Sequence, residues 1–317
     1  MTIRQLRIRF LLVMLAASLL AAPTPAPAQH GDFDLDNALV PVAEIHAGGP
    51  ARDGIPSIDR PRFLPARDAD FLRGADQVLG IVRNGVARAY PIRIMNWHEI
   101  VNDEIEGERI AVTYCPLCGT GVAFASASGG RPLTFGVSGL LYNSDMLLYD
   151  RETESLWSQI KKQAIAGPLA GRELTALPLT HTSWSGWLRE HPDTVVLSTD
   201  TGYRRDYARQ PYDGYETERG LYFPVANKSR RYHPKERVLG VEIDGAYKAY
   251  PFAELSRTDG EVADRIAGQP VTIRFDRLNQ SARAFDAQGR QLPAMTGFWF
   301  AWYAFHPETE VFRAGRG

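Results

Sequence analysis

Cysteine is scarce in this sequence, which has two such residues in 317, Cys115 and Cys118. Two cysteines are too few for a disulfide framework, so other interactions must hold the fold together. An excess of charge of one sign is also missing, because 36 basic residues stand against 37 acidic ones. The sequence has no long run of lysine or arginine, which argues against nucleic acid or an anionic membrane surface as a partner.

Long apolar runs are absent beyond the N-terminal segment, so the mature chain is expected to have no transmembrane segment. Apolar residues make up 44% of the chain and charged residues 23%. This balance is typical of a globular protein and excludes disorder or a coiled coil for most of the chain.

The first 28 residues have the pattern of a secretory signal peptide. Arg4, Arg7 and Arg9 precede an apolar run over residues 10–22, and small residues then lead to a predicted cleavage before Gln29. A membrane anchor is the alternative, but the run is shorter than the roughly 20 residues that a spanning helix needs. The sequence therefore predicts an exported protein, periplasmic or extracellular, with an N-terminal extension over residues 29–70.

The remainder of the chain contains an internal repeat. Residues 78–91 match residues 238–251, and each block reads as two strands joined by an Asn-Gly or Asp-Gly turn. Two further pairs of segments extend the match, namely 105–114 with 266–275 and 149–154 with 305–310. We infer two related β-rich units, one over residues 71–237 and a degenerate copy over residues 238–317.

The predicted fold class is mainly β, or α+β, with few short helices. One helix is expected between residues 91 and 105 and a second over residues 182–191, where a capped segment ends at Pro192. Residues 201–236 are dense in tyrosine, arginine, proline and glycine and are predicted to form an ordered loop.

The most specific chemical feature is the Cys-x-x-Cys spacing of Cys115 and Cys118. Two thiols at this spacing can form a reversible disulfide, which favours thiol-disulfide exchange, with Cys115 as the attacking sulfur. The arrangement differs from that of thioredoxin, because Gly119 and Gly121 predict a turn into another strand where thioredoxin has a helix. The stabilisation of a thiolate by a helix dipole would then be lost.

Metal binding is the second interpretation of the cysteine pair. Cys-Pro-x-Cys-Gly is also the form of a metal knuckle, which presents two sulfurs to one zinc or iron ion. The further ligands would have to come from histidines or carboxylates elsewhere in the chain, or from another chain. His98 is the first candidate for the remaining ligand. Further candidates are His181, His191 and, if the ion were copper, Met146. A permanent structural disulfide is the third interpretation, since exported thiols oxidise readily.

The internal repeat helps to weigh these interpretations. Asp276 and Asn279 occupy the positions of the second unit that align with Cys115 and Cys118. The local scaffold is thus expected to form without sulfur, which favours a functional role for the cysteines in the first unit.

Six motifs of the chain form a recognisable pattern: residues 114–124 with the cysteine pair, 135–145, 149–159, 97–103, 196–198 and 201–203. Together they resemble the DUF3179 family of exported bacterial proteins of unknown function. The resemblance covers roughly residues 71–250. Some members of the family carry selenocysteine in place of a motif cysteine, so the resemblance implies a redox use of these positions.

A set of polar and aromatic residues is expected to support the cysteines. Arg151 is the candidate cation that would stabilise a thiolate or bind an anion, and His98 is a candidate proton donor or acceptor for a thiol. The others are Tyr142, Asn143, Ser144, Asp145 and Trp157. Ordinary turn chemistry and surface ion pairs are the alternative explanation for this set.

The sequence thus predicts an exported protein that exchanges thiols and disulfides, with a protein thiol or a small oxidant or reductant as its partner. A metal-binding or metal-delivery module that uses Cys115, Cys118 and His98 is the alternative. A structural or interaction module with a permanent disulfide is the third candidate.

Overall fold

The computed structural model describes residue 30 and residues 32–315. The predicted signal peptide, residues 1–28, lies outside the described residues. Within these residues the chain forms 23 strands and four short α-helices. The predicted class, mainly β with few short helices, is confirmed.

The helices are α1 (Ile92–His98), α2 (Trp184–Glu190), α3 (Phe252–Leu255) and α4 (Trp299–Phe305). The strands of the first half of the chain are β1 (Ile45–Ala47), β2 (Phe63–Pro65), β3 (Gln77–Arg83), β4 (Val86–Pro91), β5 (Ile100–Ile105), β6 (Glu108–Cys115), β7 (Thr120–Ala125), β8 (Ala127–Ser128), β9 (Arg131–Pro132), β10 (Phe135–Tyr142), β11 (Asp145–Asp150) and β12 (Leu156–Ser158). The remaining strands are β13 (Gln163–Ala166), β14 (Ala176–Leu177), β15 (Thr180–Ser183), β16 (Val195–Leu197), β17 (Arg237–Ile243), β18 (Ala246–Pro251), β19 (Glu261–Ile266), β20 (Gln269–Asp276), β21 (Ser281–Phe285), β22 (Ala294–Phe298) and β23 (Glu310–Val311).

Five sheets of three to five strands are arranged in a propeller-like ring. Their strand orders are β15-β3-β4-β16-β2, β14-β7-β6-β5, β1-β10-β11-β12-β13, β22-β17-β18-β23 and β19-β20-β21. Strands β8 and β9 form a separate two-stranded ribbon. Among the described residues, no helix is long and apolar enough to cross a membrane.

The two predicted hairpins are present. Asn84 and Gly85 join β3 to β4 with positive φ angles of 50° and 81°, and Asp244 and Gly245 join β17 to β18 with angles of 50° and 76°. Two consecutive residues with positive φ form the tight turn whose twist matches that of the flanking strands. The proline that ends each block pairs with the first valine of its own block.

The two units share one order of elements. The first unit runs β3-β4-α1-β5-β6-β7 and resumes with β15-α2-β16, while the second runs β17-β18-α3-β19-β20-β21-β22-α4-β23 without a break. In each unit the last strand pairs in parallel with the second strand of the hairpin. The repeat is therefore structural, and strands β8 to β14 are an insertion in the first unit.

One segment match predicted from the sequence is wrong. Tyr149 lies in the inserted strand β11, whereas Phe305 is the last residue of α4. The true counterpart of α4 is α2, because both helices follow the strand that pairs with the first strand of their hairpin. The short Glu-Thr-Glu similarity of residues 152–154 and 308–310 is coincidental.

An indole hydrogen bond recurs in both units. Trp187 Nε1 donates to Thr194 Oγ1 at 2.9 Å, and Trp302 Nε1 donates to Thr309 Oγ1 at the same distance. Each hydroxyl satisfies a buried N–H that would otherwise lack a partner. The space for the two indoles is provided by glycines of the adjacent strands, Gly80 and Gly240.

Each unit contacts the other through the same turn. Cys118 in the β6–β7 turn accepts a backbone hydrogen bond from Phe298 of the second unit at 2.8 Å. Asn279 in the corresponding β20–β21 turn accepts one from Ser183 of the first unit at 3.2 Å. The cysteines therefore lie in a turn that is fixed by the contact between the two units.

Candidate functional site

The cysteine turn, residues 115–118, connects β6 directly to β7. The Cys118 N–H donates to the Cys115 carbonyl at 3.2 Å, and Gly119 reverses the chain with a φ of 61°. A Cβ on Gly119 would lie 2.9 Å from the Phe298 ring, so glycine meets both a backbone and a packing requirement here. A strand follows the turn, as predicted, and the thiols lack the dipole of a helix N-terminus.

A second turn brings an acidic residue to the thiols. Asn143 and Ser144 have φ angles of 52° and 65° and join β10 to β11, so that Asp145 opens β11. The Cys118 thiol donates a hydrogen bond to the Ser144 carbonyl at 3.2 Å. The Asn143 side chain accepts from the Ala226 N–H at 2.8 Å, which attaches this turn to the loop of residues 201–236.

Cys115, Cys118 and Asp145 form a compact group, which we name the Cys–Asp cluster. The two sulfurs and one carboxylate oxygen of Asp145 all lie within 4.8 Å of one another. All three side chains are buried, and both cysteines are free thiols. Asp145 Oδ2 accepts from the Ile160 N–H at 3.1 Å, but Asp145 Oδ1 has no hydrogen-bond partner among the described residues.

Burial dominates the electrostatics of this cluster. It raises the pKa of Asp145 to about 7 and raises the pKa of both cysteine thiols. The pKa of nearby Glu99 rises to about 8, first through burial and second through the charge of Asp145. Acids in a low-dielectric site disfavour one another's charged forms. At neutral pH the thiols are therefore protonated unless a cation joins them.

The loop of residues 201–236, which we name the covering loop, closes over the thiols. Burial and the charges of both cysteines raise the pKa of Tyr215, whose hydroxyl is buried and has no partner in the part of the chain that the structure describes. Lys235 Nζ lies 3.8 Å from the centre of the Tyr215 ring and donates to the Glu218 carbonyl at 2.7 Å. The lysine thus contacts a tyrosine ring that packs in the same buried cluster as the two cysteines.

A cleft of about 470 Å³ lies beside the cysteine turn. Tyr114 and Pro116 contribute to one wall, and Tyr212 and Tyr215 of the covering loop contribute to another. The exposed fraction of Cys115 and Cys118 is 1% and 0%, and neither residue lines the cleft.

His98 lies outside the Cys–Asp cluster. One ring nitrogen, Nδ1, is 2.7 Å from the Pro56 carbonyl, and the other, Nε2, is 2.6 Å from the Tyr207 hydroxyl. Tyr207 Oη is in turn 2.6 Å from Thr201 Oγ1. Both nitrogens of His98 are therefore engaged, Nδ1 with Pro56 and Nε2 with the covering loop. Asp145 is the third member of the cluster where His98 was expected.

The other residues that were expected to support the cysteines form ion pairs, hydrogen bonds and ring contacts with other residues. Arg151 forms an ion pair with Asp59, and Trp157 Nε1 donates to Asp150 at 2.8 Å in the core. Tyr142 packs edge-to-face against the Phe305 ring, with the ring centres 5.7 Å apart. Of these three residues, Trp157 packs in the same buried hydrophobic cluster as Cys115 and Cys118.

The remaining predicted ligands are also outside the cluster. His181 is buried edge-on against Tyr114, and burial lowers its pKa well below its ordinary value. The His191 ring is tilted against Trp187 with the ring centres 4.0 Å apart. Met146 is buried in β11, directly after Asp145.

Sequence reasoning missed Glu99 and Tyr215 as neighbours of the thiols. Glu99 lies in the motif of residues 97–103, which was identified as part of the family pattern but read only for His98. The available signal was an acidic residue next to the predicted helix and directly before the apolar residues Ile100 and Val101. Tyr215 offered no such signal, because its position depends on the path of the covering loop.

Comparison with known proteins gives one match. The family model described as protein of unknown function (DUF3179) matches residues 52–309. The chain belongs to the DUF3179 family. The match includes both units and is longer than the resemblance over residues 71–250. Neither the search of curated proteins nor the search of solved structures finds a match. The chemistry of this DUF3179 chain must therefore be argued from its own residues.

Proposed function

We propose that this DUF3179 chain is a metal-binding protein in which Cys115, Cys118 and Asp145 hold one cation. The observation that carries the proposal is the Cys–Asp cluster itself, two buried thiols and a buried carboxyl group within 4.8 Å of one another. The unpartnered Asp145 Oδ1 supports it, because a buried carboxylate oxygen without a partner is costly and a bound cation would supply that partner.

The raised pKa values have a simple explanation under this proposal. Burial favours the protonated form of each acid of the cluster, and the charge of Asp145 further raises the pKa of both thiols. A divalent cation at the same place favours the charged form of each ligand, so binding would release protons. Close, buried placement disfavours the charged forms of these three acids when no cation is present. The same placement favours their charged forms when they share a bound cation.

The ligand set favours a borderline divalent cation. Thiolates select zinc, iron or copper(I), whereas a carboxylate oxygen is a poor partner for copper(I). Two sulfurs and one oxygen therefore point to Zn²⁺ or Fe²⁺, and Zn²⁺ accepts this mixture in tetrahedral geometry. This preference replaces the copper option that depended on Met146.

Elemental analysis of the full-length mature chain, purified under reducing conditions without chelators, tests the proposal. The expected result is one equivalent of metal per chain, lost in the Cys115→Ser/Cys118→Ser double variant and reduced at least about tenfold in affinity in Asp145→Asn. Asp276→Asn is the matched control, because Asp276 holds the position of Cys115 in the second unit. A wild-type chain that binds neither Zn²⁺ nor Fe²⁺ would refute the proposal.

Thiol-disulfide exchange is the second candidate function. The specific observation in its favour is that both thiols are free, are close together and lie beside a carboxyl group with a pKa of about 7. In this reaction Cys115 attacks a partner disulfide and displaces one thiolate, and Cys118 then attacks the mixed disulfide and displaces the other. The protons of Cys115 and Cys118 end on the two leaving thiolates, and Asp145 would relay the proton of Cys118. The burial of both sulfurs requires the covering loop to open before any protein thiol or small oxidant reacts.

A measured reduction potential separates the two functions. Exchange predicts that metal-free protein equilibrates with glutathione or a dithiol within minutes and that the potential lies above about −300 mV. Metal binding predicts that stoichiometric Zn²⁺ prevents oxidation of both thiols. Slow oxidation together with no metal would exclude both functions and leave a structural role for the pair.

We also propose that the chain is exported, on the basis of the N-terminal pattern of residues 1–28. N-terminal sequencing of the secreted or periplasmic protein is expected to begin at Gln29. Retention of residues 1–28 in a cytoplasmic product would contradict export.

A further inference from the structure

The Ser144 carbonyl group contacts a thiol of the Cys–Asp cluster directly. It accepts the hydrogen bond of the Cys118 thiol at 3.2 Å, and no other hydrogen bond to this carbonyl is present among the described residues. A tetrahedral zinc ion with a bond of about 2.3 Å to sulfur and about 2.1 Å to oxygen would hold two such atoms roughly 3.6 Å apart. The carbonyl oxygen therefore lies within a few tenths of an ångström of the spacing expected for a second ligand beside Cys118.

Ser144 occupies a backbone conformation that favours glycine. Asn143 and Ser144 form the two-residue turn between β10 and β11, and the φ of Ser144 is 65°. The other two-residue hairpin turns in the part of the chain that the structure describes have glycine at the second position, namely Gly85, Gly107, Gly130, Gly245 and Gly268. A serine at this position costs free energy that a glycine would not, but it restricts the turn to fewer conformations and so fixes the direction of the carbonyl.

The side chain of Ser144 gives a second reason to connect this residue with a ligand. Ser144 is fully buried, and its hydroxyl oxygen has no hydrogen-bond partner in the described residues. Glycine at this position would remove both the backbone strain and the cost of the buried hydroxyl. Strained backbone conformations cluster at active sites and ligand-binding sites, so both features of Ser144 point to a role in binding.

Metal binding changes what the Ser144 carbonyl faces. A cysteine binds a metal as the thiolate, so Cys118 loses the proton that it donates to this carbonyl. The charged sulfur would then face the negative end of the carbonyl dipole across 3.2 Å. The pairing of β10 with β11 and the hydrogen bond from the Ala226 N–H to the Asn143 side chain hold the turn in place. A cation bound by both atoms replaces this repulsion with attraction.

We propose that the carbonyl oxygen of Ser144 is the fourth ligand of the metal held by Cys115, Cys118 and Asp145. The inference rests on the proposed metal site. A backbone oxygen is a weak fourth ligand in some copper sites that contain a thiolate, so this donor is compatible with sulfur ligands. Four protein ligands close a zinc site and leave no open position for water or substrate, which assigns the bound ion a structural or storage role.

Isotope labelling can observe this one carbonyl group by NMR. Ser144-Asp145 is the only Ser-Asp pair in the sequence, so [1-¹³C]serine together with [¹⁵N]aspartate labels a single ¹³C–¹⁵N peptide bond in the full-length mature chain. Its ¹³C resonance is followed while Zn²⁺ is titrated under reducing conditions. Loss of the thiol hydrogen bond alone moves this resonance upfield, whereas coordination of the oxygen to a cation moves it downfield. The expected result is a downfield shift that is complete at one equivalent of Zn²⁺.

Three variants serve as controls. The Cys115→Ser/Cys118→Ser double variant contains no new Ser-Asp pair, and its labelled resonance should not respond to Zn²⁺. Ser144→Gly and Ser144→Ala keep the carbonyl and remove the hydroxyl. Their metal affinity should stay within about threefold of wild type, whereas loss of a direct ligand costs at least about tenfold. A tenfold loss in both variants would make the hydroxyl the ligand and overturn the assignment to the carbonyl.

The outcomes for the wild-type chain separate the two proposals. Absence of bound Zn²⁺ refutes the metal site and the inference together. Stoichiometric Zn²⁺ with an unchanged or upfield resonance leaves the proposed function intact and shows that another group is the fourth ligand, so the inference fails.

Discussion

Replacement of Asp145 by asparagine is expected to stabilise the metal-free protein while it weakens metal binding. Burial raises the pKa of Asp145 from its ordinary 3.8 to about 7, so the folded chain binds this proton more tightly than the unfolded chain does. The contribution of Asp145 to the free energy of unfolding therefore falls as the pH rises from about 4 to 7. Above that range the folded state carries the full cost of an ionised, buried carboxylate.

The magnitude follows from the change in proton affinity. A pKa that rises from 3.8 to about 7 corresponds to roughly 4 kcal/mol, at about 1.4 kcal/mol for each factor of ten. Asparagine cannot ionise, and its side-chain oxygen can still accept the Ile160 N–H. Metal-free Asp145→Asn should therefore exceed wild type in stability by up to roughly 4 kcal/mol at pH 8, with little difference at pH 4 to 5.

Denaturant unfolding of reduced, chelator-treated wild type, Asp145→Asn and Asp276→Asn at pH 5 and pH 8 measures this difference, with tryptophan fluorescence as the signal. Addition of Zn²⁺ should reverse the order, because the ligand stabilises only the chains that bind it. A metal-free Asp145→Asn protein that is less stable than wild type at pH 8, or a difference that does not depend on pH, would refute the reasoning.

Three further substitutions test the parts that surround the site. Gly119→Ala should lower the free energy of unfolding by about 1–3 kcal/mol in a denaturant titration, because its φ is positive and its Cβ would meet the Phe298 ring; stability equal to wild type would contradict this. Thr309→Val should cost about 1–3 kcal/mol in the same assay by removing the acceptor of a buried indole N–H, and a neutral effect would contradict that role. Tyr207→Phe removes the hydroxyl bonded to His98, so the covering loop should open more often and iodoacetamide should modify the two thiols several-fold faster; an unchanged rate would show that this bond does not attach the loop.

Local features of the fold were readable from the sequence because they depend on neighbouring residues. The turns at residues 84–85 and 244–245 require positive φ at consecutive positions, and Asn-Gly and Asp-Gly supply it. The helix of residues 184–190 is capped by Ser183, whose hydroxyl accepts the Gly186 N–H at 3.1 Å. The cysteine spacing likewise fixed the position of the candidate site.

Long-range placement was not readable in the same way. Asp145 was among the residues expected to support the cysteines, but its approach to the thiols depends on a turn in the inserted strands, so no local pattern distinguished it from the other expected residues. His98 offered the residue type of a ligand, but its partners, Pro56 and Tyr207, come from distant segments that no local pattern identifies. Short similarity also misled the alignment of residues 149–154, because three shared letters carry no information about the sheet to which a segment belongs.

In the second unit, the turn that corresponds to the cysteine turn has side chains that form hydrogen bonds with one another. There Asn279 donates to Asp276 at 2.6 Å and accepts from the Ser183 hydroxyl at 2.5 Å, so the polar groups of that turn form a closed set of hydrogen bonds. In the first unit the same turn carries two thiols, of which Cys118 donates only to a carbonyl, and an adjacent Asp145 oxygen has no partner among the described residues. In the second unit the side chains of the turn supply hydrogen-bond partners for one another, whereas in the first unit they do not. We expect a bound ligand to supply the missing partner there. Loss of metal binding in Cys115→Asp/Cys118→Asn, which transplants the second unit's residues, together with retained folding, is the outcome that this argument requires.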